Sequence, residues 1–272
     1  MGLNAQEIFG IPITTDSKEL ILEYIDKYLS KFQIPNSKFQ KKSIKPLVIY
    51  TPNPEIIAYA QKMPDFKRTV RSAQINLPDG AGVVWACKKL KSVNVERIAG
   101  VEFVQELVSV ASRKGYTVGL IGGRRGVAVE ALECLQKKYK NLKGWAIDGL
   151  EIQWSMVNGQ WSNKKDIKQF VEKLIVQIRR SNTSIIFVGF GFPKQEFLID
   201  AIINHQSLTI NHRPLVLMAV GGAFDYLAGR IPRAPKWMRD RGLEWLFRLI
   251  REPYRLKRQL LGARFFWDIL HA

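Results

Sequence analysis

The strongest constraint on the fold is a repeated grammar of short apolar run, glycine-containing or polar turn, and segment with helical periodicity. Pro46–Tyr50, Arg71–Asn76, Tyr116–Ile121, Gly144–Ile147, Ser184–Val188 and Pro214–Val220 read as strands. Pro54–Gln61, Gly80–Leu90, Val101–Lys114, Val127–Tyr139, Lys164–Arg180 and Pro193–His205 read as helices. This alternation predicts an α/β fold with a parallel sheet and helices on both faces. In that architecture ligands bind at the carboxyl ends of strands, so the strand tips are the place to look for chemistry. Upstream, Thr15–Leu29 reads as a helix capped by Asp16 or Ser17. Ser30–Lys45 is polar, lysine-rich and carries Pro35, and reads as a loop or insertion.

The last part of the chain has a different character. From Arg230 to Ala272 there are eleven basic and four acidic side chains, interleaved with Trp237, Trp245, Phe247, Tyr254, Phe265, Phe266 and Trp267. Cations beside large apolar rings suit the boundary between water and an anionic apolar phase. Leu243, Leu246, Phe247 and Ile250 recur at helical spacing, flanked by Arg241, Arg248 and Arg251. The chain therefore divides into a catalytic body over 1–229 and a helical, membrane-associating appendage over 230–272. The whole chain carries a net charge of +18, which speaks of anionic partners rather than of fold. The N-terminus lacks the basic and apolar regions of a signal peptide, and no apolar run is long enough to span a bilayer. The expectation is a cytoplasmic protein held peripherally at the inner face of the plasma membrane. An exposed apolar tail also invites assembly into a homo-oligomer. Cys87 and Cys134 lack metal-ligand spacing and read as two small buried apolar residues in a reducing compartment.

Polar residues cluster at the strand tips. Thr51 and Asn53 follow the first strand in Tyr50-Thr51-Pro52-Asn53-Pro54, where either a ligand contact or plain helix capping accounts for them. Asp79, in Pro78-Asp79-Gly80, reads as a cap or as a general base. Arg97 sits before a helix, placed for an anion or for a surface ion pair. Gly122-Gly123-Arg124-Arg125-Gly126 follows a strand, and Asp148 ends the next one. Three readings of this pair stand: a diphosphate cradle for a nucleotide sugar, a nicotinamide dinucleotide site, or a tight turn. The spacing is GGxxG rather than GxGxxG. Lys194 and Gln195 open a helix whose N-terminus favours anions. Phe224 and Asp225 follow Gly221-Gly222, where they either meet a nucleotide base and ribose or pack the loop. There is no DxD cluster, HExxH, CxxC or GxSxG.

Taken in order, Thr51-Pro52-Asn53-Pro54-Glu55, Pro78-Asp79-Gly80, Glu96-Arg97-Ile98-Ala99-Gly100, Gly191-Phe192-Pro193-Lys194-Gln195-Glu196, Gly221-Gly222-Ala223-Phe224-Asp225 and Arg233-Ala234-Pro235 through to Arg251-Glu252-Pro253 resemble the WecG/TagA/CpsF family of bacterial glycosyltransferases. The resemblance covers roughly Tyr50 to Arg258. It implies a Rossmann-like fold with a C-terminal membrane-targeting appendage. It also implies inverting transfer of a hexose, N-acetylmannosamine or a related sugar, from a UDP-sugar donor to an undecaprenyl-diphosphate-linked acceptor, with neither metal nor cofactor. Carried over by residue, Asp79 matches the catalytic base, and Thr51, Asn53, Arg97 and Gln195 match the pocket. Arg248, Arg255 and Arg258 match appendage arginines directed at the lipid diphosphate. Two departures are visible: Glu102 stands where the family often has Asp, and Ser30–Lys45 is longer than in a minimal member.

Two other classes compete. A nucleotide-binding oxidoreductase, NAD-dependent or otherwise, rests on the GGxxG turn and Asp148. A nucleic-acid-binding module rests on charge and aromatics alone. No nucleic-acid motif is readable and the cations concentrate on an amphipathic tail, so nucleic acid is not an expected partner. Neither class explains why Thr51, Asn53, Asp79, Arg97 and Gln195 all stand at strand tips.

Overall fold

The structure is a computed structural model that describes residues 2–30, 44–149, 156–157, 160–161, 163–205, 213–253 and 256–272. Most of the Ser30–Lys45 segment, and Arg255, lie outside the described residues. The chain is α/β. Its centre is a six-stranded parallel sheet made of β3 (Leu47–Tyr50), β4 (Ile75–Asn76), β5 (Thr117–Gly122), β6 (Lys143–Asp148), β9 (Thr183–Gly189) and β10 (Val216–Ala219), in the order β4-β3-β10-β9-β5-β6. Two small antiparallel pairs stand outside it, β1 (Ala5–Ile8) with β2 (Ile11–Thr14), and β7 (Met156–Val157) with β8 (Gln160–Trp161).

Helices cover both faces: α1 (Lys18–Ser30), α2 (Pro54–Lys62), α3 (Pro64–Arg71), α4 (Ala81–Lys91), α5 (Gly100–Lys114), α6 (Val127–Lys138), α7 (Lys164–Arg180), α8 (Lys194–Ile203) and α9 (Ala223–Leu227). Successive strand residues point to opposite faces, and the two cores divide accordingly. Val48, Tyr50, Ile186, Val188, Leu217 and Ala219 pack in one core. Leu47, Ile49, Ile185, Phe187, Val216 and Met218 pack in the other. A strand buried on both faces has no room for polar alternation, which is why these runs are continuously apolar.

The C-terminal segment adds α10 (Lys236–Asp240), α11 (Glu244–Arg251) and α12 (Leu256–Leu270). α12 lies on α2 and α4 and buries Phe265 and Ile269, each 1% exposed. Phe266 enters over Gly82, where a Cβ would stand 2.8 Å from its ring and 2.7 Å from Pro54. Glycine at that position is what lets the ring approach α4.

Two expectations need correction. Arg71–Asn76 is not one strand: α3 runs to Arg71, and only Ile75 and Asn76 pair with β3. Pro64 at the first helical position starts α3, and Phe66, Thr69 and Val70 supply its inward face. The first helix begins at Lys18 rather than Thr15, because Thr14 still pairs with Ala5 in the β1–β2 hairpin. That hairpin turns at Phe9 and Gly10, both at positive φ, and buries Ile8, Ile11 and Ile13 completely.

Candidate active site

The carboxyl ends of β3 and β4 open into a cavity of about 750 Å³. On the sheet side it is lined by Thr51, Asn53, Asp79, Arg97 and Gly100. On the other side stand Tyr226 of α9, Glu244, Arg248 and Leu249 of α11, and the inner edge of α12. Three residues that follow strands, one arginine from the loop between α4 and α5, and one arginine of the C-terminal segment thus meet in one space.

Each is placed by local chemistry. Asn53 caps α2, its Oδ1 accepting from Ile56 N at 2.9 Å, which leaves its amide nitrogen for a ligand. Thr51 and Asp79 converge on the start of α5, where a Cβ on Gly100 would stand 3.3 Å from Thr51 and 3.8 Å from the Asp79 carboxylate. Arg97 donates from Nη1 to the carbonyl of Arg239 at 2.9 Å. Arg248 donates from Nε to Glu252 at 2.6 Å and lies 5.1 Å over the ring of Tyr226. Its guanidinium presses on the tip of β10, where a Cβ on Gly222 would meet Arg248 Nη2 at 2.3 Å.

Asp79 keeps access to the cavity, yet its carboxyl is pushed up to about 7. Desolvation is the largest cause and the charge of Glu244 the next, while Arg97, Arg233 and Arg248 pull the other way. A carboxylate poised near neutrality suits a general base that must both take and release a proton.

The remaining candidates stand elsewhere. Gln195 is buried and does not line the cavity; its Nε2 donates to Glu196 at 2.8 Å, and its Oε1 accepts from Gly221 N at 2.9 Å. It therefore holds the tip of β10 from below. Gly122 and Gly123 form the tip of β5, with Gly123 N donating to Gly189 O at 2.8 Å. Asp148 receives Gly126 N at 2.6 Å and Gly149 N at 2.7 Å, so both of its oxygens serve the turn. Phe224 is 1% exposed and packs under Gly189 rather than toward the cavity. Asp225 lies in the electrostatic field of Arg230 and Arg248. Arg258 donates to Glu55 at 3.2 Å, sits 4.3 Å over Phe192, and brings its guanidinium to the tip of β9 beside Gly191. Lys194 and Arg124 stand close enough that burial and mutual repulsion lower the Lys194 pKa.

Two arginines of the C-terminal segment thus reach two neighbouring glycine tips, Arg248 at β10 and Arg258 at β9. Sequence reasoning missed Glu244, which lies in a quoted segment, and Tyr226, which stands one residue beyond one. Their partners are Arg233, on the connection between α9 and α10, and Arg248 of α11, and spacing along the chain does not reveal them.

The mouth of the cavity is apolar. Trp85, Trp245, Leu256, Leu260 and Phe266 line it and remain exposed. Beyond them Trp267 and Leu270, each 64% exposed, continue the stripe along α12. The expected stripe on α11 differs: Leu243, Leu246 and Phe247 are partly buried, Ile250 is exposed, and Arg248 turns into the cavity instead of flanking the stripe outside. No described helix is long and apolar enough to cross a membrane. Among the described residues no group of three or more His, Cys, Asp or Glu is gathered to hold a metal ion.

The family model for the glycosyl transferase WecG/TagA/CpsF family matches residues 6–272. A Bacillus subtilis (strain 168) protein named N-acetylglucosaminyldiphosphoundecaprenol N-acetyl-beta-D-mannosaminyltransferase is 30% identical over 268 residues, covering 98% of this chain and 92% of its own length. A Staphylococcus aureus (strain MW2) protein of the same name is 31% identical over 234 residues, 86% of this chain and 84% of its own.

Proposed function

The chain belongs to the WecG/TagA/CpsF family and is a glycosyltransferase; from that premise we propose that it moves a hexose, N-acetylmannosamine or a close relative, from a UDP-sugar to an undecaprenyl-diphosphate-linked sugar with inversion at the anomeric carbon. The relatives' name supports the lipid-linked acceptor. The observation that carries the reading is Asp79, held near neutral pKa beside Thr51, Asn53 and Arg97 in a cavity with an apolar mouth. Membership in the family sets aside the oxidoreductase alternative, and Asp148 spends its carboxylate on the turn rather than on a ribose.

In this reading the acceptor hydroxyl attacks the anomeric carbon of the donor and Asp79 takes its proton. Thr51, Asn53 and Arg97 orient the sugars. The UDP leaving group takes the bonding electrons of the broken C–O bond. Backbone amides at the tips of β5, β9 and β10, with Lys194 and Arg124 beside them, then stabilise its charge. Arg248 and Arg258, joined by Arg255, serve the lipid diphosphate. Residues 230–272 act as the appendage that sets the cavity mouth against an anionic bilayer at the inner face of the plasma membrane. The exposed stripe of α12 meets the acyl boundary, and the surrounding cations meet the headgroups. Association into a homo-oligomer through the same stripe competes with that contact.

The test is UDP release from a panel of UDP-sugars with a soluble lipid-diphosphate N-acetylglucosamine analogue and EDTA present. Acceptor-dependent release with one donor is expected. Release that needs added divalent metal, or none from any donor with lipid-linked acceptors of several sugars, overturns the reading.

A further inference from the structure

Glu102 takes no part in the transfer proposed above. In the fold it stands in the first turn of α5, on the body, facing the C-terminal segment. Its Oε1 accepts from Arg233 Nη2 at 3.2 Å and from Arg239 Nη1 at 3.0 Å. Arg233 also donates to both oxygens of Glu244, at 2.8 and 3.3 Å, and lies 5.5 Å over the ring of Tyr226. Arg97 closes the chain from the body by donating to the Arg239 carbonyl. Every link runs between the body and the segment, or, as Arg233 to Glu244, within the segment to a residue that lines the cavity.

We propose that Glu102 is a positioning residue: one carboxylate that grips two arginines and so pins residues 233–251 over the cavity, presenting Glu244 and Arg248 to the reacting groups. The proposal rests on the glycosyltransferase reading of that cavity. Glu244 and Arg248 are one helical turn apart on α11, so both point the same way, and both line the cavity. α11 buries no residue fully. Its position over the cavity therefore depends on polar links more than on packing. A single exposed ion pair holds little, but here one carboxylate joins two arginines, a second carboxylate and a backbone carbonyl. A small displacement of a positioned group lowers the rate steeply.

The experiment compares wild type with Glu102→Gln, Arg239→Gln and the double variant. It reads amide hydrogen exchange over 236–251, and kcat and KM for transfer to the soluble acceptor analogue against pH. In Glu102→Gln we expect faster exchange confined to that segment and kcat reduced by about 10–100-fold, with KM for the donor little changed. The acid limb of kcat should also move to lower pH. Asp79 is faced by Glu244, Arg97, Arg233 and Arg248. Loosening the segment admits water and withdraws Glu244, the two largest causes that raise its pKa, and this outweighs the opposing loss of Arg233 and Arg248. The double variant should fall no further than Glu102→Gln alone. Unchanged exchange overturns the proposal, as does faster exchange with an unaltered kcat and pH profile. If the wild-type chain transferred no sugar, the functional reading would fail. The exchange measurement would still decide whether Glu102 holds the segment.

Discussion

Asp79→Asn should abolish transfer while making the protein more stable, and the two effects come from one cause. The carboxyl rises from 3.8 to about 7 on folding, roughly three units, or at most about 4 kcal/mol at 1.36 kcal/mol per unit. The folded state therefore binds the proton more tightly than the unfolded chain. The resulting cost to stability is absent below pH 4, grows as pH rises from 3.8 toward 7, and is fully present at pH 8. Asparagine cannot ionise, so the variant should lose that pH dependence. Urea melts at pH 8 should show it more stable by about 1–4 kcal/mol, and melts at pH 4 should show the difference gone. Its transfer rate should drop by about 10²–10⁴, and its circular dichroism should match wild type. A variant with substantial turnover would remove Asp79 as the base. One that is inactive but no more stable at pH 8 than at pH 4, relative to wild type, would refute the electrostatic argument.

Three further outcomes follow from the geometry. Gly222→Ala keeps an allowed backbone, at φ −90°, but its Cβ displaces the flexible end of Arg248; thermal melts should stay near wild type while kcat/KM falls by about tenfold or more. Trp267→Glu with Leu270→Glu, both exposed and outside the cavity lining, should weaken binding to phosphatidylglycerol vesicles by about tenfold or more per residue and leave transfer to a soluble acceptor intact; unchanged sedimentation with vesicles would rule out α12 as the contact. Asp148→Asn should cost about 1–3 kcal/mol in urea melts, from its two bonds to backbone amides, with the donor KM unchanged; a large rise in KM would return Asp148 to a nucleotide-binding role.

Much of the fold was legible because its signals are local. Apolar runs such as Val216–Ala219 must be strands once both faces are covered, and Asn53-Pro54 marks a helix start by capping chemistry alone. Thr51, Asn53 and Asp79 could be named from sequence because each follows a strand, and a parallel sheet gathers such ends at one edge; Arg97, on the loop between α4 and α5, could be named only through the motif that carries it. What stayed hidden depends on pairing across the chain. The β1–β2 hairpin turns on Phe9-Gly10 without an Asn-Gly or Asp-Gly signal. The Ile75–Asn76 strand is too short to separate from the helix before it. Gln195 belongs to a motif that points at the site, yet its amide is consumed by Glu196 and Gly221 one layer below.

The placement of α12 bears on the proposed contact with a lipid surface. Its inner face, through Phe265 and Ile269, is part of the core, while its outer face carries Leu260, Trp267 and Leu270 into solvent. A helix apolar on both faces cannot satisfy both in water. The body covers one face and leaves the other to solvent. The same helix supplies Arg258 to the tip of β9, and α11 supplies Arg248 to the tip of β10. Any phase that covers the outer stripe therefore lies beside the cavity mouth, with Arg248 turned into the cavity and Arg258 at the tip of β9. A lipid-linked diphosphate could reach Arg248 and Arg258 while its chain stays in that phase. Fully withdrawing a long polyprenyl chain into water would cost about 0.8 kcal/mol for each exposed CH₂, so a site that meets the acceptor at the bilayer surface avoids a barrier that a solvent-facing cavity would impose.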